Sequence, residues 1–174
     1  MARRLVIIGA DAAGMSAASQ ARRMTSPDAL EIVAFEQSSH TSYAACGLPY
    51  LVGGLVESPD RLVARTPEQH RAKGIDVRIH HEVIAIDCAA RTVTVRDRDT
   101  GQEAIEHYDE LLISTGASGI TPPWPGIDAE GVLQLRTLED AAEVDRRIVA
   151  GARRAVVVGA GYIGLEVAEG LLAR

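Results

Sequence analysis

Cysteine is scarce in this chain: Cys46 and Cys88 are the only two among 174 residues. Neither belongs to a CxxC pair or to a Cys/His grouping with metal spacing. A disulfide-stapled secreted fold and a zinc site are therefore poor readings, and a reducing cytoplasm fits better. No apolar run approaches the ~18 residues of a membrane span. Met1-Ala-Arg-Arg followed by Leu5–Ala10 has the superficial layout of a signal peptide, but the run is short and Asp11 interrupts it, so it reads better as a buried strand. Basic charge is not in excess either. Eighteen Lys and Arg against 24 Asp and Glu leave a net charge of −6, which speaks against nucleic acid or an anionic membrane surface as partner. The pairs Arg3-Arg4, Arg22-Arg23, Arg146-Arg147 and Arg153-Arg154 read as solvated faces. What is present, 47% apolar and 24% charged residues, suits a globular protein with a buried core, forming one domain or one and part of another.

From Arg4 to Ile8 the chain turns apolar and β-branched, as expected of a parallel strand covered on both faces. Gly9-Ala-Asp-Ala-Ala-Gly14 then turns into a helix reaching about Met24, rich enough in Ala and Ser to lie close to a sheet. Pro27-Asp28 breaks the pattern, and Leu30–Phe35 reads as a second strand ending at Glu36, completing a right-handed βαβ unit. Thr66-Pro67-Glu68 is a helix start, and Ile75–Ile79 a strand. Three alternating segments, Glu82–Ile86, Thr92–Arg96 and Glu103–Tyr108, predict an antiparallel meander. Leu111–Ser114 is another buried strand. Pro122, Pro123, Pro125 and Gly126 mark a linker, and Thr137-Leu-Glu-Asp140 a capped helix start. Ala155–Val158, Gly159–Gly164 and Leu165 onward then repeat the strand–turn–helix plan of the N-terminus. The repeat stops in mid-helix with no returning strand, so the sequence is expected to be truncated.

Both Gly-rich turns have the layout of a dinucleotide fingerprint. One glycine makes the tight turn, one lets the backbone approach the pyrophosphate, and one packs helix on strand, while the helix N-terminus attracts the anion. Gly159, Gly161 and Gly164 supply all three. The N-terminal copy keeps Gly9 and Gly14 but has Asp11 at the second position, where a carboxylate must point away from a phosphate. Glu36, 22 residues after Gly14, stands where an acid hydrogen-bonds an adenosine ribose.

Between the two turns lies Ser42-Tyr-Ala-Ala-Cys46-Gly-Leu-Pro-Tyr-Leu-Val-Gly53. Cys46 is expected at the first turn of a short helix, where a helix N-terminus favours the thiolate; a small apolar residue under a loop is the plainer alternative. With no second cysteine nearby, its oxidised form would be a mixed disulfide, a persulfide or a sulfenic acid. Cys88, in a meander turn, reads as structural or incidental, and the histidines show no metal spacing.

The run Val6-Ile-Ile-Gly-Ala-Asp-Ala-Ala-Gly-Met-Ser-Ala-Ala-Ser-Gln-Ala-Arg-Arg23, Phe35-Glu36, Ser42-x3-Cys46-Gly-Leu-Pro-Tyr50 and Tyr108-Asp-Glu-Leu-Leu-Ile-Ser-Thr-Gly116 resembles the pyridine nucleotide–disulfide oxidoreductases. Within them it resembles the coenzyme A disulfide reductases and the single-cysteine NADH oxidases and peroxidases. The resemblance implies an α/β fold: a Rossmann-like FAD-binding domain with a parallel sheet and a β-meander over 1–120, a linker and helix over 121–150, and the beginning of an NAD(P)-binding domain over 151–174. It implies FAD held by Gly9, Ala10, Ala13, Gly14, Glu36, Thr115 and Gly116, and NAD(P)H at Gly159, Gly161 and Gly164. Cys46 would be the redox nucleophile. Ser16, Gln20, Arg23 and Ser42 match positions that contact substrate in the coenzyme A branch, whereas Ala45 stands where that branch has Asn. The acceptor is left open among coenzyme A disulfide, a persulfide and oxygen species, and a truncated, non-catalytic dinucleotide-binding fragment is the alternative. The full-length form is expected to be a homodimer.

Overall fold

The computed structural model describes residues 2–174, which divide into two compact units interleaved along the chain. The first comprises residues up to 43 and 63–116; the second comprises 44–62 and 117–174.

In the first unit, β1 (Arg3–Ile8), α1 (Ala12–Met24) and β2 (Leu30–Phe35) form the expected βαβ unit, with β1 and β2 parallel from Arg3↔Leu30 to Ile8↔Phe35. β3 (Asp76–Arg78) adds beside β2 and β7 (Glu110–Ile113) beside β1, giving the all-parallel order β3-β2-β1-β7. β1 is thus central, and its side chains alternate between two buried faces. Ile7 joins Ala10, Met15, Ala18, Ile32, Ala34, Ile75 and Val77 on the α1 side. Val6 and Ile8 join Val33, Phe35, Val93 and Val95 on the other. Burial on both faces explains why Leu5–Ile8 of β1 is an unbroken apolar run. The second face is covered by the predicted meander β4 (His81–Asp87), β5 (Thr92–Asp97) and β6 (Glu103–His107), antiparallel throughout with a register shift between Val83 and Ala85.

Between β2 and β3 comes α3 (Pro67–Arg71), whose start is closed by a capping box: the Gln69 backbone N–H donates to Thr66 Oγ1, and the Thr66 N–H to Gln69 Oε1. Both termini of a short helix carry orphan backbone groups, so a cap of this kind contributes on the order of 1 kcal/mol.

In the second unit, one 3-10 turn (Ala45–Gly47) runs into α2 (Leu48–Val52), which lies against α4 (Leu138–Val149) and α5 (Tyr162–Ala173). Leu48, Leu51, Val52, Leu62, Leu138 and Ala141 are buried. Gly53 meets Gly170 so closely that a Cβ on either would stand 3.0 Å from the other's Cα. α4 starts as predicted, with a capping box between Thr137 and Asp140.

One element departs from expectation. Ala155–Val158 is not a strand: Val156 and Val158 are 90% and 78% exposed. A strand persists only where a neighbour takes up its N–H and C=O groups, and no described segment pairs with these residues. The turn and helix that follow do form, because their hydrogen bonds are local. No helix among the described residues is long and apolar enough to cross a membrane.

Candidate functional site

The first Gly-rich turn leaves the C-terminal end of β1. Gly9 has φ +94° and stands against the Ser114–Thr115 backbone, so a Cβ there would be 3.2 Å from Thr115 Cα and closer still to the Ser114 carbonyl. At Gly14 a Cβ would press into the Gly9 carbonyl oxygen and lie 2.7 Å from Ser114 Oγ. Ser114 ties the turn to β7 by donating to the carbonyls of Ile8 and Gly9, at 2.9 and 2.8 Å. Glycine at 9 and 14 is thus demanded by close backbone approach.

Asp11 is the N-cap residue of α1, yet its side chain makes no cap bond. Its carboxylate instead accepts from the Tyr43 N–H at 3.2 Å. This resolves the sign conflict in the sequence: the charge faces the 41–43 segment, and the first N–H groups of α1 keep no side-chain partner. α5 is likewise uncapped at Gly161. The contrast with α3 and α4, which both carry capping boxes, is chemically informative. Only an uncapped helix start has free N–H groups and positive partial charge for a pyrophosphate.

Glu36 sits at the end of β2 beside this turn. One carboxylate oxygen accepts from the Ala10 N–H at 2.9 Å, the other from the Ser38 N–H and hydroxyl at 3.0 and 2.8 Å. A carboxylate offers about four acceptor positions, so it retains room for a further donor such as a sugar hydroxyl. Thr115 and Gly116 follow β7 and are exposed, with Gly116 at φ +69°. Ala13, Ser16, Gln20 and Arg23 share one exposed stripe of α1, where the Arg23 guanidinium donates twice to Gln20 Oε1, at 3.2 and 2.5 Å. These residues, Ala10 and Ser42 all belong to the first unit.

Ser42 is held by contacts that no local sequence pattern signals. Its φ is +52°, uncommon for a residue with a Cβ. Thr41 donates to the Ala10 carbonyl, the Ala64 N–H donates to the Ser42 carbonyl at 2.8 Å, and Tyr43 bridges to Val63. The Ser42 hydroxyl meets His70 Nε2 at 2.9 Å. His70 is 1% exposed. Burial first, then the charges of Arg65 and Lys73, hold its pKa below the ordinary histidine value.

In the second unit, Cys46 lies in the 3-10 turn just before α2, not in the helix itself, and its thiol is exposed and unpaired. The alternative of a small apolar residue buried under a loop is thereby excluded. A Cβ on Gly47 would strike the Leu62 methyl groups, so glycine there lets the turn close on Leu62. Gly159, at φ +115°, and Gly161 are open, whereas Gly164 presses against the Gly159 carbonyl as Gly14 does against Gly9. Cys88 is exposed in the turn between β4 and β5.

A parallel sheet whose central strand enters an uncapped helix through glycines, with an acid at the end of the next strand and a meander over one face, defines a dinucleotide-binding α/β protein. Comparison with known proteins gives the class a name. The model of the pyridine nucleotide-disulphide oxidoreductase family matches residues 3–173, and the chain belongs to that family. It is 40% identical over 174 residues to a coenzyme A disulfide reductase of Staphylococcus haemolyticus, covering 99% of this chain and 38% of that protein. It superposes on an NAD-dependent persulfide reductase from A. fulgidus with TM-score 0.92 and 40% identity, covering 98% and 32% of the two chains. For the water-forming NADH oxidase from Lactobacillus brevis, bound to NADH, the TM-score is 0.91, the identity 32%, and the coverage 99% and 38%. The chain thus spans well under half the length of these relatives.

Proposed function

We propose that this chain is the leading part of an FAD-dependent oxidoreductase that moves electrons from NAD(P)H to a single redox cysteine, Cys46, and then to a small disulfide or persulfide. The observation that carries this reading is an exposed, unpaired Cys46 thiol in a chain matched to the family over residues 3–173. Residues 1–120 are read as the first portion of the FAD-binding domain, 121–150 as linker and helix, and 151–174 as the beginning of the NAD(P)-binding domain. A cytoplasmic homodimer is the expected working form.

Gly9, Ala10, Ala13 and Gly14 would hold the FAD pyrophosphate at the open start of α1, Glu36 the ribose, with Thr115-Gly116 alongside. Gly159, Gly161 and Gly164 would serve the nicotinamide dinucleotide at the start of α5. FAD, when bound, supplies two-electron exchange between nicotinamide and sulfur. The Cys46 thiolate attacks one sulfur of a disulfide RSSR, the S–S bond breaks, and RS⁻ leaves to take up a proton. The Cys46–S–S–R mixed disulfide, reduced by two electrons drawn overall from NAD(P)H, releases the second thiol and restores the thiolate. Ser16, Gln20, Arg23 and Ser42 would contact the substrate; amide, hydroxyl and guanidinium groups suit a polar, phosphate-bearing thiol.

Full-length protein should purify yellow. Cys46→Ser should keep the flavin absorbance and lose NAD(P)H-dependent reduction of coenzyme A disulfide and of persulfide. Normal disulfide turnover by that variant would remove Cys46 from the mechanism. Ala45, standing where the coenzyme A branch has Asn, favours a second reading in which Cys46 cycles through a sulfenic acid on oxygen species. NAD(P)H oxidation that consumes oxygen without disulfide would select it. A colourless full-length protein that takes up no FAD would leave only a non-catalytic fragment.

A further inference from the structure

His70 is the most deeply buried ionisable side chain of the first unit, and one of its ring nitrogens has no assigned partner. Nε2 lies 2.9 Å from Ser42 Oγ, while Nδ1 is buried with no hydrogen-bond partner among the described residues. The ring is set on α3 by local bonds: its own N–H reaches the Thr66 carbonyl, and its carbonyl accepts from the N–H groups of Lys73 and Ile75. Burial and the flanking positive charges of Arg65 and Lys73 keep it neutral at neutral pH.

A neutral imidazole has two tautomers, and they give Ser42 opposite polarity. With the proton on Nδ1, a buried N–H would be orphaned, which folded proteins strongly avoid. With the proton on Nε2, only a bare lone pair is buried, and orphaned acceptors are better tolerated. Nε2–H then donates to Ser42 Oγ. The Ser42 proton cannot point back along the same bond. Thr41 Oγ1, 3.5 Å away, is at the limit of hydrogen bonding, and its own proton already goes to the Ala10 carbonyl.

We propose that His70 is a positioning residue: it donates Nε2–H to Ser42 Oγ and so presents the Ser42 hydroxyl as a hydrogen-bond donor to an acceptor atom of the disulfide or persulfide substrate. This rests on the reductase reading for the identity of the substrate, but not for the polarity of the pair. The left-handed backbone at Ser42 and the anchors on Thr41 and Tyr43 fix where the hydroxyl stands; His70 fixes which way its proton can turn.

Two measurements on the FAD-loaded full-length protein test it. Long-range ¹H–¹⁵N correlation at neutral pH should place the His70 proton on Nε2; a proton on Nδ1 overturns the proposal without any variant having to fold. Steady-state kinetics should show KM for the disulfide rising about three- to tenfold in Ser42→Ala and His70→Phe, the range of one hydrogen bond, with a smaller change in kcat. His70→Gln, which keeps an N–H near the Nε2 position, should stay near wild type. The double variant His70→Phe/Ser42→Ala should be no worse than Ser42→Ala. Multiplying effects, or an unmoved KM in His70→Phe, would overturn the positioning role. A wild-type protein that reduces no disulfide or persulfide would instead bring down the reductase reading, and the ring nitrogens would still decide the polarity of the pair.

Discussion

A methyl group at residue 14 has nowhere to go. It would meet the Gly9 carbonyl and lie 2.7 Å from Ser114 Oγ, both fixed by the β1–β7 pairing. Gly14→Ala is therefore expected to cost about 1–3 kcal/mol of stability, the range of overpacking, read as a lower midpoint in urea, and to weaken flavin retention in the full-length protein. Gly161, which takes the place of Asp11 in the second motif, has no atom within 4 Å of a Cβ. Gly161→Ala should shift the midpoint by less than about 1 kcal/mol, and any loss should appear in nicotinamide binding. The spacing of glycines announced both turns, yet not that Gly9 stands against Ser114 while Gly159 has no atom within 4 Å of a Cβ, a difference that depends on whether another strand lies against the turn. The same limit hid His70. Twenty-eight residues separate it from Ser42, and no local pattern in a sequence tells which buried histidine meets which hydroxyl.

Among the elements, the starts of α3 and α4 were legible because Thr66-Pro67-Glu68 and the Thr137–Asp140 capping box are each written in three or four consecutive residues. Thr66→Ala should destabilise the protein by about 1 kcal/mol. Because α3 carries His70, the variant should also raise the exchange rate of the α3 amides; unchanged protection there would deny the cap a part in holding the helix. Residues 155–158 misled for the opposite reason. Ala-Val-Val-Val reads like β1, but a strand is completed by its neighbours. Hydrogen exchange on this chain should accordingly find the 155–158 amides exchanging orders of magnitude faster than those of Val6–Ile8, which lie between two parallel partners.

For the molecule as a whole, acid is the revealing condition. Arg4 of β1 and Arg78 of β3 both pair with Glu106 of β6, at 2.7 Å each, and so fasten the meander to the parallel sheet. Burial raises the Glu106 pKa, but the bonds from Arg4 and Arg78 outweigh it and leave it below the ordinary 4.5. The His70 pKa is lowered from 6.5, chiefly by burial. In both cases the unfolded chain binds protons first as pH falls, so stability is lost towards acid. The loss should begin below about pH 6.5 and deepen below about 4.5. His70→Phe should abolish the first phase and Glu106→Gln blunt the second, in denaturation midpoints followed across pH; a first phase that survives in His70→Phe would assign it to another group.

The order of residues alone settled the parallel βαβ unit, the meander and the two Gly-rich turns, since apolar period, turn glycines and caps act over a few residues at a time. Folding in three dimensions settled the direction of the Asp11 carboxylate, the left-handed Ser42, its bond to His70 and the absence of a strand at 155–158. Each of those depends on groups far apart in the chain, whose meeting is fixed by packing rather than by any local preference.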